Sequence, residues 1–387
     1  MYRLAKIIFI VGLLGNFLIA SGIIQAVKVP GNVSNAGPTS KAWISTGYQT
    51  IILYPQTTMK SSETNTTYSP KMVRVKAIYD GDNISFLLKW RDVNKNVQDG
   101  YHLDVYGDGY AMQFPIKFND ATKLPYIGMG SKKRAVVIEV KKATGTIYEP
   151  NIDVDIFGEA DNTISIINKI TEEDVPEYQK VFVSEGFESM TQIKNNSVVG
   201  KMQMLYKNGF WRGTLSLPLK SSYLDIDKGS FPISFAVWDG DKNETGESKL
   251  ISSWLGVKLV AKDGGEKLIN ILTSSAKGDV RSGKKIVLDN CAACHRYANT
   301  NMAPNFMAPN LSEIGGYSTK EYLVESIVNP SAVVVSKYKT NAERSFPWYN
   351  LNNNGNRVST MPSYDWLDQK SLDDVVAFLQ TLKSKIK

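Results

Sequence analysis

Met72-Val73-Arg74-Val75-Lys76-Ala77-Ile78-Tyr79 runs into Asp80-Gly81, and Ile84-Ser85-Phe86-Leu87-Leu88-Lys89-Trp90 follows closely. Val73, Val75, Ala77 and Tyr79 fall on alternate positions, the period of a strand with one buried face. Asp-Gly between two such runs is hairpin chemistry, because these residues tolerate the backbone angles of a tight turn. Working outward, strand signals recur at Tyr48 to Tyr54, Tyr110 to Phe118, Arg134 to Lys141, Thr163 to Ile170 and Val198 to Tyr206. Further runs follow at Phe210 to Leu217, Ser234 to Trp238, Leu250 to Trp254 and Gly256 to Val260. Many short strands punctuated by Gly, Asn and Asp predict a β sandwich over residues 27–262.

Composition shifts after that. Lys262-Asp263-Gly264-Gly265 opens a stretch, 263–278, that reads as a linker. Helical patterns then occupy Gly278 to Asn290, Ser318 to Val328 and Ser371 to Lys385. In the last, Leu372, Val375, Val376, Leu379 and Leu382 share one face at helical spacing, with Ser371 as the expected N-cap. The chain is therefore mainly β, with a small all-α domain at residues 279–387.

The 387 residues suit two domains behind a leader, and 42% hydrophobic with 21% charged residues is ordinary for globular protein. Arg3 and Lys6 precede an uncharged apolar run from Ile7 to Ala26, the pattern of an export signal over residues 1–26. An uncleaved anchor is the alternative, since ~20 apolar residues can span a bilayer. No second such run follows, so no transmembrane segment is expected once the leader is gone. The formal charge is +7, scattered rather than striped, and loss of Arg3 and Lys6 leaves +5. That distribution argues against nucleic acid as a partner.

Cysteine and histidine usage is more telling. The chain has two Cys, Cys291 and Cys294, and two His, His102 and His295, so three of the four lie within five positions. Cys291-Ala292-Ala293-Cys294-His295 is the attachment signature of a covalent c-type haem. Two thiols at this spacing can each add to a haem vinyl group, and the next residue offers the iron a neutral imidazole. A zinc site lacks ligands here, and a thioredoxin-like pair would sit near a βαβ pattern. The helical domain's choices for the second axial ligand are Met302, Met307 and Met361. Met361-Pro362, in a polar loop before the last helix, suits a ligand presented opposite His295.

On these motifs, residues 279–385 resemble the class I cytochrome c family. The resemblance implies that Met361 is the axial Met. It also implies that the carbonyl of Pro309, in Ala308-Pro309-Asn310-Leu311, orients His295, with Met302-Ala303-Pro304-Asn305 a near-duplicate of that segment.

The β region carries a second resemblance. Its motifs are Val75 to Gly81, Leu88-Lys89-Trp90-Arg91-Asp92, Ala111 to Pro115, Pro125-Tyr126-Ile127-Gly128-Met129-Gly130, Phe235 to Gly240 and Ser248 to Trp254. They resemble the haem b subunit of ethylbenzene dehydrogenase and the γ subunits of selenate, chlorate and dimethylsulfide-oxidising relatives. This implies one non-covalent haem b with its iron held between Met129 and Lys249. Ser131 and Val140 stand where the family often has Asp and Trp. Lysine binds iron only as the neutral amine, which burial and the metal's charge favour. His102, the rival ligand, reads as a surface histidine.

The fusion of the two domains resembles the haem-carrying γ subunits of nitrite oxidoreductase, found in anammox and other nitrite-oxidising bacteria. The expectation that follows is a dihaem electron-transfer subunit, not itself an enzyme. It would pass electrons between an iron–sulfur β subunit, partnered by a molybdopterin α subunit, and an external acceptor, through haem b and then haem c. The location would be the periplasm or an equivalent compartment, the anammoxosome lumen in an anammox bacterium. The alternative is a monohaem cytochrome fused to a ligand- or carbohydrate-binding β sandwich. A peroxidase ranks last, for want of an open coordination position and a distal acid–base group.

Overall fold

The computed structural model describes residues 22–57, 69–98, 106–116, 118, 123–144, 178–186, 189–193, 200–246, 248–298, 300, 303, 307–335 and 348–386. The strand expected at Thr163 to Ile170 lies outside these residues, as do His102 and Met302.

The β domain comprises β1 (Ile23–Lys28), β2 (Gln49–Pro55), β3 (Lys71–Tyr79), β4 (Asn83–Arg91), β5 (Gly109–Pro115), β6 (Val136–Lys142) and β7 (Gln179–Ser184). It continues with β8 (Thr191–Gln192), β9 (Lys201–Lys207), β10 (Phe210–Pro218), β11 (Ser230–Trp238), β12 (Leu250–Ile251) and β13 (Leu255–Leu259). The β3–β4 hairpin forms as expected, in register from Tyr79 opposite Ile84 to Val73 opposite Trp90. Its turn is held by Asp80, whose Oδ1 accepts the backbone N–H groups of Asp82 and Asn83, each at 2.7 Å.

One layer runs β9-β10-β4-β3-β1-β13 and the other β8-β7-β6-β5-β11-β12-β2. β2 and β11 each pair into both layers: β11 meets β13 through Ser230 to Ile233 and β5 through Ser234 to Trp238. Inward side chains fill the space between. Phe86 of β4 lies 6.3 Å from Phe114 of β5, and Trp90 lies 5.8 Å from Tyr110. The sandwich reading therefore holds.

Two expected boundaries move. β1 is a parallel strand between β3 and β13, with Ile24 and Ala26 fully buried. The β domain thus includes residues 23–26, which were assigned to the leader: the apolar Ile23-Ile24 run belongs to a sheet. The stretch 263–278 is not a bare linker either. It contains α1 (Glu266–Thr273), whose buried Leu268 helps seat the helix on the sandwich.

The C-terminal domain holds α2 (Val280–Asn290), α3 (Ile314–Tyr317), α4 (Lys320–Val328) and α5 (Gln369–Thr381), with a small hairpin of β14 (Tyr349–Leu351) and β15 (Arg357–Ser359). α5 starts before the expected Ser371. Its N-cap is Asp368, which accepts the Ser371 N–H at 2.7 Å. α2 crosses α5 at Gly283, where a Cβ would stand 1.9 Å from the Asp374 carbonyl oxygen. Only glycine permits that approach.

The domains pack together. The ring of Tyr54 fills the space beside Gly316, and Thr57 Oγ1 donates to the Asn310 carbonyl at 3.2 Å. Lys123 and Arg134 both pair with Glu325 of α4, at 2.8 and 2.9 Å. Among the described residues no helix is long and apolar enough to cross a membrane.

Candidate haem sites

α2 delivers the Cys-Ala-Ala-Cys-His segment. Asp279 caps its first turn by accepting the Ser282 N–H at 2.7 Å, and the helix ends on Cys291, whose N–H reaches the Val287 carbonyl. The chain then tightens, with the N–H groups of Cys294 and His295 both donating to the Cys291 carbonyl at 3.1 and 2.9 Å. This coil brings both sulfurs and the imidazole to one wall of a 470 Å³ cavity. Its other walls include Leu323, Ile327, Val335, Met361 and Leu379.

His295 Nδ1 lies 2.8 Å from the Pro309 carbonyl oxygen. That bond assigns the proton to Nδ1 and leaves the Nε2 lone pair for a metal. Burial holds the imidazole below its ordinary pKa, so the neutral form persists at physiological pH. Burial, with the Cys294 sulfur nearby, pushes the Cys291 thiol up to about 11. A thiol so raised is a poor thiolate, which disfavours reversible redox exchange. Met361 and Met307 both line the cavity, so two of the three candidate methionines reach the site. The residues fit a covalently held haem: paired sulfurs, a pre-set imidazole, a thioether and an apolar enclosure in one cavity.

The second site grows from the β sandwich. Along β5, β6 and β11, Tyr110, Met112, Val137, Phe235 and Val237 face the interior between the layers. Their alternates, Ala111, Val136, Ile138, Val140, Ala236 and Trp238, belong to a different apolar cluster, on the outer face of the same layer. An antiparallel layer usually presents a polar outer face to water. This one is apolar on both sides.

Met129 packs against that outer cluster from the loop 124–130. The loop is clamped through its carbonyls: Arg134 Nη1 donates to Leu124, Trp254 Nε1 to Pro125 and Gln113 Nε2 to Ile127, at 3.2, 2.9 and 3.1 Å. Met129 itself sits at φ 73°, a left-handed conformation unusual for a residue with a side chain. Strain of about 1–3 kcal/mol is tolerated where the surroundings over-determine the backbone, typically at functional positions. The Gly186 N–H reaching the Met129 carbonyl at 2.9 Å is part of that support.

Lys249 is buried, with 8% of its surface exposed. Its Nζ donates to the Gly246 carbonyl at 3.1 Å and lies 5.8 Å from the Trp238 ring centroid. Met129 and Lys249 therefore border the same outer cluster, through Trp238 in the second case. A thioether and an amine beside an apolar face fit the haem b ligand set.

The turn that carries Lys249 is fixed by a polar network. Asp92, Asp108 and Asp239, all buried, have oxygens within 4.8 Å of one another. Lys71 pairs with Asp239 and Asp92 at 3.2 and 3.5 Å, and Lys242 with Asp239 at 2.8 Å. Asp108 accepts N–H groups from Asn96, Gly240 and the Trp211 indole. Burial, against the attraction of Lys71, pushes Asp92 up to about 6, and burial pushes Glu244 up to about 7. The network was not singled out from the sequence, although Asp92 and Asp239 lie inside the motifs quoted there. Tyr126 and Tyr322, whose rings meet between the domains, were missed too; the position of Tyr322 beside Leu323, Ser326 and Ile327 on α4 was the available signal.

Two family models match the chain, one over each domain. Residues 24–249 match the sequence model of the family described as ethylbenzene dehydrogenase, and residues 280–383 match that of cytochrome c. No curated protein matches the chain. Among solved structures, a family 9 carbohydrate-binding module from Caldicellulosiruptor kristjanssonii in complex with cellotriose is similar at TM-score 0.33 and 10% identity, covering 62% of this chain and 95% of that one. The same kind of module from that organism with glucose gives TM-score 0.30 and 8% identity, covering 63% and 98%. With residues 24–249, more than half of the chain, matched, the chain belongs to the ethylbenzene dehydrogenase family and continues into a cytochrome c domain.

Proposed function

We propose that this protein is a dihaem electron-transfer subunit. One haem c would be held by Cys291, Cys294, His295 and Met361, and one haem b by Met129 and Lys249. The observation that carries the proposal is that both ligand sets abut one continuous apolar cluster spanning the two domains. Bound there, each haem supplies a one-electron couple. The chain's own residues set the tautomer of His295, exclude water and hold the two sites in fixed register. The substrate-converting group would lie on another chain.

The electrons would come from, or go to, an iron–sulfur subunit partnered by a molybdopterin subunit, with nitrite oxidoreductase the complex favoured by the fusion of these two domains. The path runs through haem b and then haem c to an external acceptor. An exported setting, in the periplasm or its equivalent, matches covalent haem attachment and the apolar leader-like run ahead of β1.

The test is purification from the native source. A pyridine haemochrome spectrum with one b-type and one c-type haem per chain, and co-purifying molybdenum and iron–sulfur subunits, is the expected result. A c-type signal alone would overturn the dihaem assignment and favour a ligand-binding sandwich carrying one cytochrome.

A further inference from the structure

We propose that the tilted ring pair Tyr126–Tyr322 is the electronic bridge between the two haem sites. The proposal rests on the dihaem reading above and names the residues that join the sites.

The two rings meet across the domain boundary with centroids 5.1 Å apart and planes 31° from parallel. Each ring belongs to one site. Tyr126 lies three residues before Met129 in the clamped loop, and its carbonyl accepts the Gly130 N–H at 2.9 Å, closing the turn around Met129. Tyr322 lines the haem c cavity together with His295 and Met361. A packed pair of π systems thus spans the distance from the Met129 turn to the cavity wall, with no solvent layer between: Tyr126 is 2% exposed.

The surroundings hold this contact in place. Gly128 is required beside it, since a Cβ there would stand 2.5 Å from the Tyr126 ring. Glu325, one helical turn beyond Tyr322, grips Lys123 and Arg134, which flank the Met129 loop on either side. The ion pairs fix the lateral register of the two rings.

The step itself is an outer-sphere transfer. With one haem held at Met129 and Lys249 and one at His295 and Met361, each would supply a one-electron couple, and the electron lost by the first iron would be the one gained by the second. No bond forms or breaks and no proton moves. Burial drives the Tyr322 hydroxyl well above its ordinary pKa, so that phenol remains neutral. The rings act as the medium for electron tunnelling, not as carriers. Electronic coupling falls steeply across gaps, so packed aromatic contact is the part of the boundary best suited to it.

A rival route is also visible. Thr57 Oγ1 donates to the Asn310 carbonyl at 3.2 Å, and Asn310 follows the Pro309 that holds His295. That route ends on a haem c ligand but starts at the end of β2 rather than in the Met129 loop.

The experiment uses the holoprotein. A photochemical reductant injects one electron, and re-equilibration between the b-type and c-type absorption bands is followed with time. Reduction potentials and spectra are recorded for each variant. Tyr126→Leu and Tyr322→Leu should each slow inter-haem transfer tenfold or more at unchanged potentials. Tyr322→Phe, which keeps the ring, should stay within twofold of wild type, as should Thr57→Val. Unchanged rates in both Leu variants, or a tenfold loss in Thr57→Val alone, would overturn the bridge while leaving the dihaem reading intact. Should a Leu variant fail to hold haem, Tyr322→Phe decides: slowing tenfold at unchanged potentials makes the hydroxyl, not the ring contact, the conductor, and overturns the proposal. Absence of a b-type band in the wild-type protein would overturn both.

Discussion

The Pro309 carbonyl oxygen lies 2.8 Å from His295 Nδ1, fixing the imidazole in the tautomer whose other nitrogen faces the cavity. The contact does for the histidine what the helix end at Cys291 does for the thiols: it sets direction before any ligand arrives.

Met361 should complete the coordination from across the cavity. Met361→Ala is expected to lower the haem c potential by on the order of 0.1 V, within the span of about 0.8 V that axial ligands command. It should also let exogenous imidazole bind. Spectroelectrochemistry checks both. An unchanged potential would move the role to Met307, which shares the cavity, or to Met302.

Lys249→Ala should strip the b-type signal and spare the c-type one. Losing an axial ligand should cost at least the ~10–100-fold that loss of an outer-shell partner costs a metal site. Haem b content is read by pyridine haemochrome after dialysis against apomyoglobin. Full retention with an unaltered potential would exclude Lys249 as a ligand.

Glu139 faces the sandwich interior, where burial pushes its carboxyl from 4.5 up to about 8 while the Gly200 N–H on its Oε1 opposes the shift. Between those two values the folded chain holds a proton that the unfolded chain releases. Stability therefore falls as pH rises from about 4.5 to about 8 and levels off above. Glu139→Gln keeps an acceptor for the Gly200 N–H without the titration. The variant should show a flatter profile and gain stability over wild type at pH 9, measured by urea unfolding. Equal slopes in the two proteins would refute this account.

A chain starting at Val27 should be markedly less stable than one starting at Gly22. It loses the fully buried Ile24 and Ala26 and the pairing of Ile23 to Ala26 with β13. Burial of one large aliphatic side chain alone contributes about 2–3 kcal/mol. Denaturant titration of the two chains compares them, and sequencing of the mature N-terminus should find residues 23–26 retained.

The sequence disclosed whatever depends on local pattern. The β3–β4 hairpin was legible because alternation and an Asp-Gly turn are encoded within one run of residues. The haem c signature was legible because chemistry demands its spacing. What depends on distant partners was hidden. The apolar Ile23-Ile24 run looks the same whether it ends a leader or enters a sheet, and only pairing with Gly256 and Val257 decides. α1 was mistaken for linker because it is short, follows a Gly-Gly pair and carries a single buried anchor, Leu268. Ser371 looked like a cap, but Asp368 occupied that position, three residues upstream. The carboxylate network around Asp239 unites residues from three separate strand ends, so no single motif announces it.

The placement of β1 has a consequence for how the molecule comes together. Ile23 lies opposite Gly256, a partner more than 200 positions away, while Ala26 lies opposite Ala77 on the other flank. Parallel pairing between such distant segments is slow, because the intervening loop must close before any contact repays its entropy. The β domain therefore cannot zip shut progressively as the chain emerges. Its first described strand must wait, unpaired on its far side, until the segment around residue 256 is available.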